Sequence, residues 1–182
     1  MIYFTLEDLW DYYGLSLEDK IFLEHRDDNK FYKYLATKKI IDFIKNLKSK
    51  GEEPRDIAAY IGAYDISKRE KNKFIIMSTS TNSPPTKINK ILHDLSKPLG
   101  KIDEEGENTI NKIGRCAEFR VINFLLNKHA DINYIRFTRA FQFDGGKLVT
   151  IPYCSNCRRM FQNIPHLLKR ESECTIKTSI DI

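Results

Sequence analysis

Four residues in two distant segments constrain this chain more than anything else in it. Cys116-Ala117-Glu118 lies far upstream of Pro152-Tyr153-Cys154-Ser155-Asn156-Cys157. Three thiols can serve one metal ion only if the fold brings both segments together. Three protein ligands leave tetrahedral Zn²⁺ an open position, the mark of a catalytic rather than a closed structural site. Glu118 stands two residues from the first ligand, placed to move protons rather than to bind metal. Both segments fall at predicted helix starts, where the helix end favours thiolate over thiol. Cys154 and Cys157, three apart, share one helix face. The expectation is one zinc on Cys116, Cys154 and Cys157, with Glu118 as the acid/base. The plainer alternative is a core cysteine at 116 and a coincidental pair, or a purely structural metal, which would have no need of Glu118. Cys174 reads as a core residue of the last strand, and His25, His93, His129 and His166 show no pair at ligand spacing.

Four cysteines at these spacings do not read as a disulfide framework, which favours a reducing compartment during synthesis. No apolar run reaches the roughly 18 residues of a membrane span. The first residues carry no basic stretch followed by an apolar one, so no signal peptide is expected. Cytoplasmic residence, or later delivery out of the producing cell, fits both. The formal net charge of +5 is uneven. Residues 1–53 hold 9 Lys and Arg against 11 Asp and Glu; residues 54–182 hold 21 against 14. Within 132–170, Arg136, Arg139, Lys147, Arg158, Arg159, Lys169 and Arg170 face Asp144 as the one acid. Such clustering favours a polyanionic substrate, because phosphate neutralisation drives nucleic-acid binding. An ordinary basic surface is the alternative.

Hydrophobic spacing predicts helices over residues 5–50, with Thr5 and Ser16 each followed three residues later by an acid. The third is expected from about Lys30 to Lys48, ended by Gly51 with Pro54 beyond. Residues 57–66 and 73–81 read as a hairpin across a polar link. Ser83-Pro84-Pro85 breaks the chain, Thr86 caps a short helix carrying Ile88, Ile91, Leu92 and Leu95, and 97–113 reads as loop. A helix over 116–130, apolar around much of its circumference, belongs against a sheet. Residues 132–143 read as a strand with Ile135, Phe137, Phe141 and Phe143 on one face. Asp144-Gly145-Gly146 turns it into a short extended lead-in, 147–151. Pro152 then opens a helix over 153–170, and 174–182 is a last strand.

This order, together with Gly114-x-Cys116-Ala117-Glu118 and Cys154-x-x-Cys157, resembles the cytidine-deaminase-like superfamily. Within it the chain looks most like the bacterial toxin deaminases of the YwqJ-like type. Tyr153 stands between Pro152 and the first paired cysteine, where many members have the proline directly before it. The resemblance implies a three-layer α/β fold, a mixed sheet with helices on both faces, over residues 54–182. Residues 1–53 would then be a helical appendage, a possible contact for an immunity or other protein partner. It implies zinc-dependent hydrolytic deamination of cytosine, or of adenine, in single-stranded nucleic acid. The alternatives are a free nucleoside or nucleotide deaminase and a non-catalytic zinc-stabilised binding module. Substrate contacts are expected from Asn82, Ala117 and Tyr153, with Phe137 as a further stacking surface and Arg158 and Arg159 at phosphates.

Overall fold

A computed structural model of the chain describes residues 28–67, 75–107, 109–168 and 179–181. The helices expected before residue 28, the polar link at 68–72 and Cys174 lie outside the described residues. Two compact units divide the chain, Met1–Phe31 and Tyr32–Ile182. The account below concerns the second.

Its elements are α1 (Asp28–Ser49), β1 (Tyr60–Asp65), β2 (Ile75–Thr79), α2 (Lys90–Ser96), α3 (Ala117–Asn127), β3 (Ile135–Phe137), β4 (Ala140–Asp144), β5 (Lys147–Ile151), α4 (Ser155–Met160), α5 (Pro165–Leu168) and β6 (Ser179–Asp181). The sheet runs β2-β1-β4-β5-β6, with β3 also on β1. A mixed sheet was the expectation; neighbour to neighbour, the described pairs are antiparallel. The two strands flanking β1 nonetheless run the same way, because the chain crosses from β2 to β3 through α3. The 147–151 lead-in is a full strand, paired with β4 from Asp144↔Lys147 to Ala140↔Ile151 across the Gly145-Gly146 turn.

Alternation along β1 builds the three layers. Ile61 and Ala63 face the core that holds Phe119, Ile122 and Leu125 of α3 and Met160 and Phe161 near α4. Tyr60 faces the other way, into a cluster with Ile40 and Ile44 of α1 and with Phe141, Phe143 and Leu148. Thus α1, which the sequence reading placed in the 1–53 appendage, packs on the sheet from Tyr32 onward. Each fully buried isoleucine there contributes at most about 1.5–3 kcal/mol. Gly62 marks where α1 presses closest. A Cβ at 62 would stand 2.8 Å from Ala36 Cβ and 2.8 Å from Thr138 Cγ2.

The strand expected over 132–143 is broken, and its aromatics do not share a face. Ala63 pairs with Phe137, whereas Tyr60 pairs with Phe141. Three steps on β1 therefore match four on its neighbour, a bulge at Thr138-Arg139. Thr138 N donates to Gly62 O at 2.8 Å, and Gly62 N donates to Thr138 Oγ1 at 2.8 Å. The extra residue flips the alternation. Ile135 and Phe137 belong to the α3 core, while Phe141 and Phe143 belong to the α1 side.

Two helix boundaries also differ from expectation. Asn89, not Thr86, caps α2, its Oδ1 accepting from Ile91 N at 3.0 Å. The helix expected over 153–170 starts at Ser155 and stops at Met160, with α5 following from Pro165. Among the described residues, no helix is long and apolar enough to cross a membrane.

Candidate metal centre

Cys116 and Cys154 are the N-cap residues of α3 and α4, each with extended backbone. At α4 the Cys154 side chain accepts from the free Cys157 N–H of the helix start, whereas the Cys116 side chain makes no such cap bond at α3. Gly114 makes the approach to Cys116 possible. Its φ is +90°, in the left-handed region, and a Cβ there would stand 3.2 Å from both Ile102 Cγ2 and Pro84 Cβ. The end of β2 is tied to the same place, Thr81 N donating to Arg115 O at 3.2 Å.

The three Sγ atoms and a Glu118 carboxylate oxygen all lie within 4.8 Å of one another. Cys116 Sγ and Cys154 Sγ are 2.9 Å apart and all three thiols are free; a disulfide would need about 2.05 Å. Cys157 and Glu118 are buried, and Glu118 is 3% exposed. Such a carboxyl and three thiols have little reason to share a dry corner unless something organises them.

The electrostatics separate the four groups. Hydrogen bonds from the Cys116 and Cys157 thiols, and then from the Cys157 and Asn156 backbone N–H groups, hold Cys154 as a thiolate, down to about 3. The Cys157 N–H reaches Cys154 Sγ at 3.4 Å. Donating to that thiolate pushes Cys116 up; hydrogen bonds to the Cys116 sulfur and then to Cys154 push Cys157 up; burial raises both further. Burial raises Glu118 to about 7, and the Cys154 charge adds to it. A carboxyl poised there can both take and give a proton near neutrality.

The donor set fits zinc. Three sulfurs from two helix starts match its preference for thiolate, and three ligands leave a position open. The cluster is consistent with one Zn²⁺ site and supports a zinc-dependent enzyme.

The other residues expected at the site are placed unequally. Ala117, between Cys116 and Glu118, is fully buried. Asn82 is exposed, in the turn held by Thr81 Oγ1 donating to Ser83 O at 2.7 Å and by Arg120 Nη1 donating to both residues. Tyr153 and Phe137 sit in the core with rings 6.0 Å apart, so neither offers an open face for stacking. The Tyr153 hydroxyl donates to Thr138 O at 3.1 Å, tying the motif to the bulge. Arg158 is exposed, whereas Arg159 Nη2 meets Glu107 Oε2 at 2.8 Å. Arg136 Nη1 donates to Asn133 O and Ile135 O, both at 2.8 Å. Lys169 and Arg170 lie outside the described residues.

Sequence reasoning missed Asn156. Between the paired cysteines and 2% exposed, it donates Nδ2 to Asn111 O at 2.7 Å. That bond anchors the segment 101–113, which is a strap and not a free loop. Glu105 and Lys112 form a β-bridge across it, and Arg115 pairs with Asp103 at its base. A glycine at 106 and an asparagine inside the Cys-x-x-Cys were visible, but nothing in the sequence joins them.

Compared with protein-family models, with curated proteins and with solved structures, the chain matches none. Its likeness rests on residues and geometry: the cluster and the three-layer fold are consistent with the broad cytidine-deaminase-like superfamily.

Proposed function

We propose that this protein is a zinc-dependent hydrolytic deaminase that converts cytosine to uracil in single-stranded nucleic acid, in the manner of bacterial toxin deaminases. The observation that carries the reading is the convergence of three thiols from two helix N-caps on a buried, poised carboxyl. Cys116, Cys154 and Cys157 would hold the metal. Bound zinc supplies Lewis acidity that makes water a competent nucleophile near neutral pH. Glu118 takes one proton from the attacking water at its carboxylate oxygen and passes it to ring nitrogen N3; it then takes the second from the C4 hydroxyl and delivers it to the departing amine. A C4–O bond forms, the C4–N bond breaks, and ammonia leaves. The dry surroundings of Glu118 keep its proton transfers from competing with bulk water. The basic excess of residues 54–182 supports a polyanionic substrate, and an unpaired base avoids the cost of unstacking.

One observation favours a second reading, a free nucleoside or nucleotide deaminase. Glu107 engages Arg159, which takes one cation of the basic run away from phosphate contact. The deciding experiment compares a cytosine-containing single-stranded oligonucleotide with cytidine at equal base concentration, at low and high salt. Ammonia release and base sequencing report the product. Faster turnover of the oligonucleotide, falling steeply with salt, is the expected result. Faster, salt-insensitive turnover of cytidine replaces the polynucleotide with the small molecule. Absence of ammonia from every cytosine and adenine substrate removes the deaminase reading.

A further inference from the structure

The three thiols of the cluster are not equivalent. Cys116 and Cys154 are half-buried, whereas Cys157 is 1% exposed and belongs to the domain's main apolar core. Cys116 Sγ and Cys154 Sγ stand 2.9 Å apart. A disulfide joins its sulfurs at about 2.05 Å, so a closure of under about 1 Å separates this pair from a covalent bond. Both residues precede their helices, as N-caps with extended backbone. Cys116 makes no side-chain cap bond, so turning its sulfur breaks none. Cys157 lies inside α4, where the preceding turn limits its rotamer.

Metal and disulfide exclude each other at this place. Zinc needs the sulfurs as thiolates. A Cys116–Cys154 bond removes two of the three sulfur donors and leaves Cys157 alone, too few to hold the ion. Bound zinc, in turn, occupies the same two sulfurs and shields them from an oxidant.

We propose that Cys116 and Cys154 are a reversible oxidation site: in the metal-free protein a small disulfide of the oxidised-glutathione class joins them, closing the centre to zinc until a thiol reductant reopens it. The inference rests on the reading of these thiols as zinc ligands. Cys154 Sγ, which accepts from Cys157 N at 3.4 Å, attacks one sulfur of the small disulfide. The S–S bond of the reagent breaks, a mixed disulfide forms and one small thiol leaves. Cys116 Sγ then attacks the Cys154 sulfur, and the second small thiol leaves. Two protein thiols lose two electrons, the small disulfide gains them, and the two thiol protons depart on its products.

The test uses the full-length protein, zinc-loaded or stripped with a chelator, incubated with oxidised glutathione. Peptide mapping locates the disulfides, and zinc uptake is measured afterwards. Stripped protein should yield mainly the Cys116–Cys154 bridge, and Cys157→Ser should form the same bridge. Zinc-loaded protein should keep its thiols. The bridged protein should lose its zinc uptake, and a dithiol reductant should restore it. The same reaction in urea gives the pattern of a chain without the fold, where loop closure favours the neighbours Cys154 and Cys157. Native and urea patterns that coincide overturn the proposal. So does a native product dominated by Cys154–Cys157 or by Cys174, or a bridged protein that still binds zinc. Reduced protein that takes up no zinc refutes the metal reading itself, which is a separate and recognisable outcome.

Discussion

Gly106 and Asn156 offer a direct check on the strap. A Cβ added at Gly106 would overlap the Asn156 Oδ1 atom and stand 2.8 Å from Cγ and 3.0 Å from Nδ2. All three atoms belong to one buried amide, and that amide holds Asn111 O at 2.7 Å. Gly106→Ala must therefore push Asn156 aside or lift the strap, at a cost of about 1–3 kcal/mol for overpacking. Asn156→Ala removes the amide and leaves Asn111 O with the longer bond from Gly106 N, at a cost of about 1–3 kcal/mol. In the double variant the three atoms nearest the new Cβ are gone. It should cost about as much as Asn156→Ala alone, so the two effects fall short of additivity by about 1–3 kcal/mol. Denaturant unfolding of the zinc-loaded proteins, run as a double-mutant cycle, measures this. Additivity to within about 0.5 kcal/mol would refute the packing of the strap on the metal helix. So would a Gly106→Ala protein as stable as the wild type.

Glu118→Gln keeps the shape of a buried side chain but cannot shuttle protons, so turnover should fall by at least about 10²–10⁴-fold. Zinc content by elemental analysis should stay near one per chain, and loss of zinc would mean that Glu118 belongs to the ligand set. Chelation of the wild type should lower its thermal midpoint and release thiols to titration, because metal binding contributes folding energy. Cys154→Ser should do the same without chelator. An unchanged midpoint in both would remove the metal from the fold.

The metal centre was legible because its chemistry is local. A Cys-x-Glu and a Cys-x-x-Cys each sit at a helix start, and a helix start shows itself by where periodicity begins. The Asp144-Gly145-Gly146 turn was legible for the same reason. What escaped the sequence depends on long-range pairing. Nothing between Ile132 and Phe143 signals a bulge, because period-two spacing of Ile135, Phe137, Phe141 and Phe143 looks like one continuous face. The extra residue is set by Thr138, whose hydroxyl competes for Gly62 N, and Gly62 lies 76 residues away. The early end of α4 is likewise tertiary. Phe161 is fully buried and Ile164 packs against the same core, so the chain leaves the helix to bury both.

Several of the aromatic and basic residues near the motif already have partners within the fold. Tyr153 follows Pro152 out of β5 and points its hydroxyl at the bulge carbonyl, so its ring is spent on packing against Phe137. Arg159 is drawn to Glu107, and Arg136 caps backbone carbonyls. Such residues can be counted from a sequence, but only their geometry says which remain for a ligand. The same geometry turns the segment around Asn111 from a connecting loop into a strap fastened to α4. Its apparent lack of pattern reflects short-range hydrogen bonding across Glu105↔Lys112 and a contact to an asparagine inside the cysteine pair. The metal residues fix where chemistry is possible at this centre, and an asparagine set between two of them fastens the strap to the same helix.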